Sequence, residues 1–183
     1  MIQRRKKEGK TDYRARLRLL TSGKLRLVAR ASLRNMALQL IQYDSQGDKV
    51  LMSAHSNELK KHGWLYSKNN LSAAYLLGLL IAVKAKRKGI NDAVFDAGLG
   101  CAIKGGRLFA ALKGAVDGGL NIPHDKSAFP DGSRMAGEHI ASYAKKLGQD
   151  EYKKLFSGYM GLNAKPEEMP KKFIEVKEKI AKG

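Results

Sequence analysis

"KLRLVARASLRNMALQLIQYDSQGDKVLMSAHS", residues 24–56, decides the fold. In its first third, Lys24, Arg26, Val28, Arg30 and Ser32 fall on one face of an extended chain, and Leu25, Leu27, Ala29 and Ala31 on the other. A pleated strand imposes this period of two. "LRN" (33–35) then turns the chain, "MALQLIQYD" (36–44) repeats the strand pattern, "SQGD" (45–48) turns again, and "KVLMSAHS" (49–56) forms a third strand. Connections this short join neighbouring antiparallel strands, so the segment is expected to be a meander.

Working outward toward the C-terminus, "KKHGWLYSKNN" (60–70) reads as a loop, and either Asn69 or Asn70 suits the N-cap of a helix through Lys88, closed by Gly89. The middle of that helix is apolar all round, which predicts packing on the sheet, while Lys84, Lys86, Arg87 and Lys88 lie at the negative end of its dipole. "NDAVFDAG" (91–98) reads as a fourth, buried strand, and a glycine-rich loop leads into a second helix at about 105–117, stopped by Gly118–Gly119. Beyond Pro123, "HDKSAFPDGS" (124–133) is a loop with Ser133 as candidate cap for a helix through Lys146. "DEYKKLFSGYM" (150–160) and "PEEMPKKFIEVKEKIAK" (166–182) read as short amphipathic helices. In the other direction, residues 1–23 lack a steady apolar period and read as an extended or induced-fit arm with a turn at Ser22–Gly23. The expected fold class is α/β: a mixed sheet in a β-β-β-α-β-α core, a basic N-terminal arm and a helical C-terminal extension. The expected division is an arm over 1–23, a core domain over 24–122 and an extension over 123–183.

Charge is the strongest compositional signal. The 183 residues carry 35 Lys and Arg against 17 Asp and Glu, a formal net charge of +18. Residues 1–34 hold 12 of the basic residues (Arg4, Arg5, Lys6, Lys7, Lys10, Arg14, Arg16, Arg18, Lys24, Arg26, Arg30 and Arg34) and two acidic ones, a net of +10. A front-loaded excess of this kind points to a polyanionic partner. An ordinary solvated face would carry matching acidic residues, and here they are absent. The arm cations Arg14, Arg16 and Arg18 run into Lys24, Arg26 and Arg30 on one strand face. Tyr13, His55, Trp64 and Tyr66 offer aromatic faces for stacking on unpaired bases; Trp64 equally suits a core or loop anchor. The 84–88 lysine cluster reads as a helix C-terminal charge set or as a further RNA contact.

Other chemistries fit poorly. "GLGCAIKGG" (98–106) follows a strand and opens a helix, where phosphate sites occur, but Ile103 stands where a dinucleotide fingerprint needs its third glycine. Lys104 precedes the glycines rather than following them as a P-loop requires. The single cysteine, Cys101, excludes an internal disulfide and has no histidine in a recognisable nucleophile spacing. "HDKS" (124–127) puts a serine, histidine and aspartate in a row, which is not the spatial arrangement a triad needs, and "GEHI" lacks the second histidine of a zinc-protease helix. No acidic cluster suits catalytic metals. The expectation is therefore no enzyme, no catalytic or metal-binding residue, no cofactor and no small-molecule substrate. The longest apolar run, "LSAAYLLGLLIAV" (71–83), spans 13 residues where a bilayer needs roughly 20. With no apolar leader in residues 1–20, no membrane partner and a reducing, cytoplasmic setting are expected.

Seven stretches in order, "TDYRARLRLL", "LRLVARAS", "SAHSNELKKHGW", "NNLSAAYLLGLL", "DAVFDAGL", "GGRLFAALKGAVDGGLNIPH" and "RMAGEHIASYA", cover roughly residues 11–144. Through them the chain resembles the universal large-subunit ribosomal protein family that binds 5S rRNA, family eighteen of that subunit, in its longer archaeal and eukaryotic-like form. The tail from 145 resembles the family only loosely, and one departure is Gly106, where the family's usual "KGSR" has serine. The resemblance implies a ribonuclease-H-like β-β-β-α-β-α motif without its catalysis. It also implies a structural place in the central protuberance of the ribosome, attaching 5S rRNA to large-subunit rRNA beside neighbouring large-subunit proteins. Carried over by position, the RNA-facing set is the arm around Thr11–Arg18, the strand residues Arg26 and Arg30, and the loop after His55. Lys104 and Arg107, at the start of the second helix, complete the candidate set.

Overall fold

The computed structural model describes residues 4–100 and 102–182. Its order is β-β-β-α-β-α followed by helices, the α/β arrangement expected. Strands β1 (Arg26–Ala31), β2 (Met36–Gln42) and β3 (Lys49–His55) form the antiparallel meander. Strand β4 (Val94–Asp96) then adds in parallel beside β1, giving the mixed order β3-β2-β1-β4. Alternation sends Leu27 and Ala29 of β1, Met36, Leu38 and Leu40 of β2, and Met52 and Ala54 of β3 into one core.

N-terminal to the sheet lie helices α1 (Arg4–Lys7) and α2 (Tyr13–Leu20). Of the expected extended or induced-fit arm, the extended reading is thus corrected: its described part is largely helical. Asp12 decides this locally, its carboxylate accepting from the amides of Arg14 at 2.9 Å and Ala15 at 3.1 Å. Neither helix buries a residue. The stretch after β3 also differs from the expected loop: Ser56–His62 is a 3₁₀ helix capped by His55 and Glu58.

Helix α3 (Leu71–Arg87), capped by Asn70, is buried almost all round. The sheet covers one side, and α4 (Arg107–Asp117) and α9 (Met169–Lys182) cover the others. The last helix, too polar to stand alone, is ordered by adding Met169, Phe173, Val176 and Ile180 to that core. Two further expectations are corrected. The fourth strand shrinks from a buried 91–98 to three half-buried residues, because only Val94–Asp96 pair with β1 and Asp92 bridges to Asn121 instead. The helix expected from Ser133 to Lys146 is two, α5 (Gly132–Ala136) and α6 (Glu138–Lys146). They break at Gly137, whose φ of +85° and closeness to Met169 leave no room for a side chain. Two short helices follow, α7 (Gln149–Leu155) and α8 (Ser157–Met160).

Candidate nucleic-acid interface

The sheet face turned away from α3 is not flat. Arg26, Val28 and Arg30 of β1, Gln39 and Ile41 of β2 and Val50 of β3 floor a groove of about 1130 Å³. One wall is the N-terminal segment, with Arg5, Thr11, Asp12, Ala15 and Arg16; the other is residues 96–100, Ile103 and the start of α4 at Arg107. Of the sequence-chosen residues, the fold therefore gathers Arg5, Thr11, Arg16, Arg26, Arg30 and Arg107 around one concavity.

These cations differ sharply in their partners. Arg26 was expected as a free cation on an open strand face; it is 5 % exposed. Its Nη1 donates to Asp96 Oδ2 at 2.8 Å and its Nη2 to Asp48. Asp48 in turn accepts from Arg16 Nη2 at 2.9 Å, and the other oxygen of Asp96 accepts from the Gly98 amide at 2.8 Å. The matching carboxylates exist after all, supplied by the β2–β3 turn and by β4 rather than by the basic stretch itself. Arg26 is corrected from a phosphate ligand on the surface to the floor of an ion-pair network that joins α2, β1 and β4.

Other cations are free of such partners. Arg14 and Arg18 are exposed on α2, Arg30 at the end of β1 and Arg34 in the β1–β2 turn, and none has a carboxylate within 4 Å among the described residues. Lys6 and Lys7 are exposed on α1, and Lys104 is exposed before α4. Arg107 donates to the Asn69 carbonyl at 3.3 Å, and Arg5 to the Thr11 hydroxyl at 2.9 Å, so both keep their charge available. Arg4 and Lys10 share Glu8, and Lys24 reaches Asp92 at 3.5 Å. Such exposed pairs are weak and exchange readily for phosphate.

The aromatic candidates separate as well. Tyr13 is half-buried on α2 and does not line the groove. The His55 ring is held as a cap, its Nδ1 accepting from the Asn57 amide at 3.2 Å, while its own amide donates to Glu58 at 2.8 Å. Burial pushes the Glu58 carboxyl up, but the Lys84 hydrogen bond and the His55 amide outweigh it and hold the group below its ordinary value of 4.5. Its contribution to this cap is therefore complete above that value and lost as pH falls through the lowered one. Lys84, spent on Glu58, is no free RNA contact. Of the two readings left open for Trp64, the core anchor holds and the stacking face does not: it is 0 % exposed, donates to the Ser67 carbonyl at 3.0 Å and packs edge-on against Tyr66 at 5.1 Å. Tyr66 is buried too and donates to the Lys165 carbonyl at 2.7 Å. Burial, then the nearby Glu168 and Glu167, push its hydroxyl up to about 12. Neither ring offers a face to a base. As the single tryptophan, Trp64 is expected to show blue-shifted emission that iodide does not quench and that added RNA leaves unchanged. A red, iodide-quenched band would return it to the surface.

Among the described residues, the loop's glycine amides are not free to cradle a phosphate. The amides of Gly100, Gly105 and Gly106 are already given to the carbonyls of Ala97, Ala128 and Ile103 at 2.9–3.0 Å. Cys101 lies outside the described residues. No group of three or more metal-ligating side chains occurs among the described residues, and no helix there is long and apolar enough to cross a membrane. Sequence reading missed Asp48 and Asp96. The one available signal was register, since Asp96 pairs with Val28 and so shares the face of Arg26.

A family profile described as "Ribosomal large subunit proteins 60S L5, and 50S L18" matches residues 1–92 and 82–125. The chain is similar to the large ribosomal subunit protein uL18 of Methanothermobacter thermautotrophicus, 49 % identical over 177 residues that cover 97 % of this chain and 92 % of the relative. It is similar to the protein of the same name from Methanococcus maripaludis, 51 % identical over 179 residues that cover 97 % and 93 %.

Proposed function

This chain belongs to the family of ribosomal large-subunit proteins 60S L5 and 50S L18, and on that premise we propose that it binds 5S rRNA and fastens it to large-subunit rRNA in the central protuberance. Family membership makes it a ribosomal structural protein rather than an enzyme, associated with the large subunit and with rRNA. The finer reading adds the cytoplasmic ribosome as its setting and neighbouring large-subunit proteins as further partners. It also keeps the functional division into a binding arm over 1–23, a core over 24–122 and an extension over 123–183.

The carrying observation is a set of cations without carboxylate partners in and beside a groove whose deepest cation is already neutralised. Arg30 and Arg107 line the groove, while Arg14 and Arg18 on α2, Arg34 in the β1–β2 turn and Lys104 before α4 are exposed on the elements beside it. A spread of this kind meets phosphates placed by a folded RNA, so shape as well as charge selects the partner. The cations position the RNA, and Val50, exposed on the groove floor, meets whatever unpaired base reaches the groove.

The test is a competition. The purified chain is expected to prefer 5S rRNA over a folded RNA of equal length and unrelated sequence by about tenfold or more in filter binding. Equal affinity for both would leave the family assignment intact and remove the 5S reading.

A further inference from the structure

Helix α2 has an unusual attachment. It has eight residues and buries none of them, a length at which an isolated helix is marginal in water. Its ion pair to the body of the protein is Arg16 to Asp48, 32 residues away in sequence. Asp48 also holds Arg26, so one carboxylate occupies two arginines across the groove. The side chains of Arg26 and Asp96 are 6 % and 13 % exposed, whereas Arg16 and Asp48 are 26 % and 24 % exposed. The inner half of the network is therefore dry and fixed, and the outer half is open to competition from solvent. Arg26 Nε, buried, has no partner among the described residues.

A carboxylate and a phosphate offer arginine the same planar pair of acceptor oxygens. We propose that Asp48 is a built-in stand-in for RNA phosphate: it latches α2 across the groove in the free protein, and incoming phosphate displaces it from Arg16 and releases the helix onto the RNA. This rests on the reading of the groove as the RNA site. The device sets selectivity rather than raw affinity. Any polyanion meets a groove partly neutralised by its own carboxylate, and only an RNA that engages several rim cations at once offsets the loss of the latch. Asp96 serves differently. It touches Arg26 and the Gly98 amide but not Arg16, so it holds the floor and not the latch.

Amide hydrogen exchange of residues 13–20 in the full chain reads the latch without RNA. Asp48→Asn is expected to lower protection there by about tenfold, while Asp96→Asn leaves it unchanged. Asp48→Asn is also expected to bind both 5S rRNA and an unrelated RNA of equal length about three- to tenfold more tightly, narrowing the ratio between them. If Asp48→Asn fails to fold, Arg16→Gln opens the latch from the helix side, and its protection at 13–20 must fall. Unchanged protection in either folded variant, weaker RNA binding by folded Asp48→Asn, or an equal loss in Asp96→Asn overturns the latch. A wild-type chain without preference for 5S rRNA sinks the preceding reading instead, since the protection measurement involves no RNA.

Discussion

Raising the salt from 50 to 200 mM is expected to weaken binding of this protein to 5S rRNA by about 10³–10⁵-fold, the response of a protein that makes on the order of 6–10 phosphate contacts. Each contact releases a condensed counterion, so the slope of log affinity against log salt counts the cations engaged. Removal of residues 1–18 takes away Arg4, Arg5, Lys6, Lys7, Lys10, Arg14, Arg16 and Arg18. It takes no described member of the hydrophobic core. The shortened chain is expected to keep a cooperative thermal unfolding transition, to lose most of its affinity, and to show a markedly shallower slope. The arm and the strand end are then separable: Arg30→Gln in the intact chain lowers the slope by about one. A flat response in the wild type would remove phosphate neutralisation as the binding mechanism. An unchanged slope after the deletion would move the contacts from the arm to the body.

The meander was legible because burial on one face of a sheet leaves a period-two trace in adjacent residues. Leu27 and Ala29, or Leu38 and Leu40, announce themselves within a single strand. Helix α3 was legible in its ends, since Asn70 and Gly89 act on backbone groups within a turn of themselves. What stayed hidden depends on residues far apart in the chain. The basicity of Arg26 and the acidity of Asp48 and Asp96 are both plain in the sequence, but their meeting is a product of register and turn geometry over 22 and 70 residues. Trp64, with basic residues on one side and Leu65 and Tyr66 on the other, suits surface and core alike in the sequence; its packing partner Tyr66 meets Tyr159, from the C-terminal half. The arm misled differently. Its helix carries no buried stripe to find, so only the Asp12 cap marks it. Within the candidate site, then, the rim was readable as charge, while the floor was readable only as structure.

The all-round apolar character of α3 concealed a second feature, on which the groove itself depends. Gly78 of α3 and Gly114 of α4 face each other where the two helices cross. A Cβ on Gly78 would collide with the Ala111 carbonyl and lie 2.8 Å from the Ala115 amide nitrogen, while one on Gly114 would collide with the Tyr75 carbonyl and lie 3.0 Å from the Leu79 amide nitrogen. These obstacles are backbone, which cannot swing aside as a side chain end does. Either Gly78→Ala or Gly114→Ala must push the helices apart, uncovering a core that includes Leu76, Leu77 and Ile81 from α3 and Ala111 and Ala115 from α4. The expected cost is about 3 kcal/mol or more, at the upper end of overpacking effects. In a domain of this size that lowers the melting temperature by roughly 6–12 °C or more. Because α4 begins at the groove wall with Arg107, the same displacement moves a rim cation and weakens RNA binding before the protein unfolds. Gly158 supplies the control: it lies in α8, where an added methyl would meet nothing within 4 Å and the backbone angle is ordinary. There the same change to alanine is expected to be neutral or to stabilise by up to about 1 kcal/mol, through the lower entropy of the unfolded chain. Calorimetry of the three variants decides it. A Gly78→Ala protein that melts with the wild type would mean that the helices do not cross at these glycines, and the wall that α4 gives the groove would lose its support.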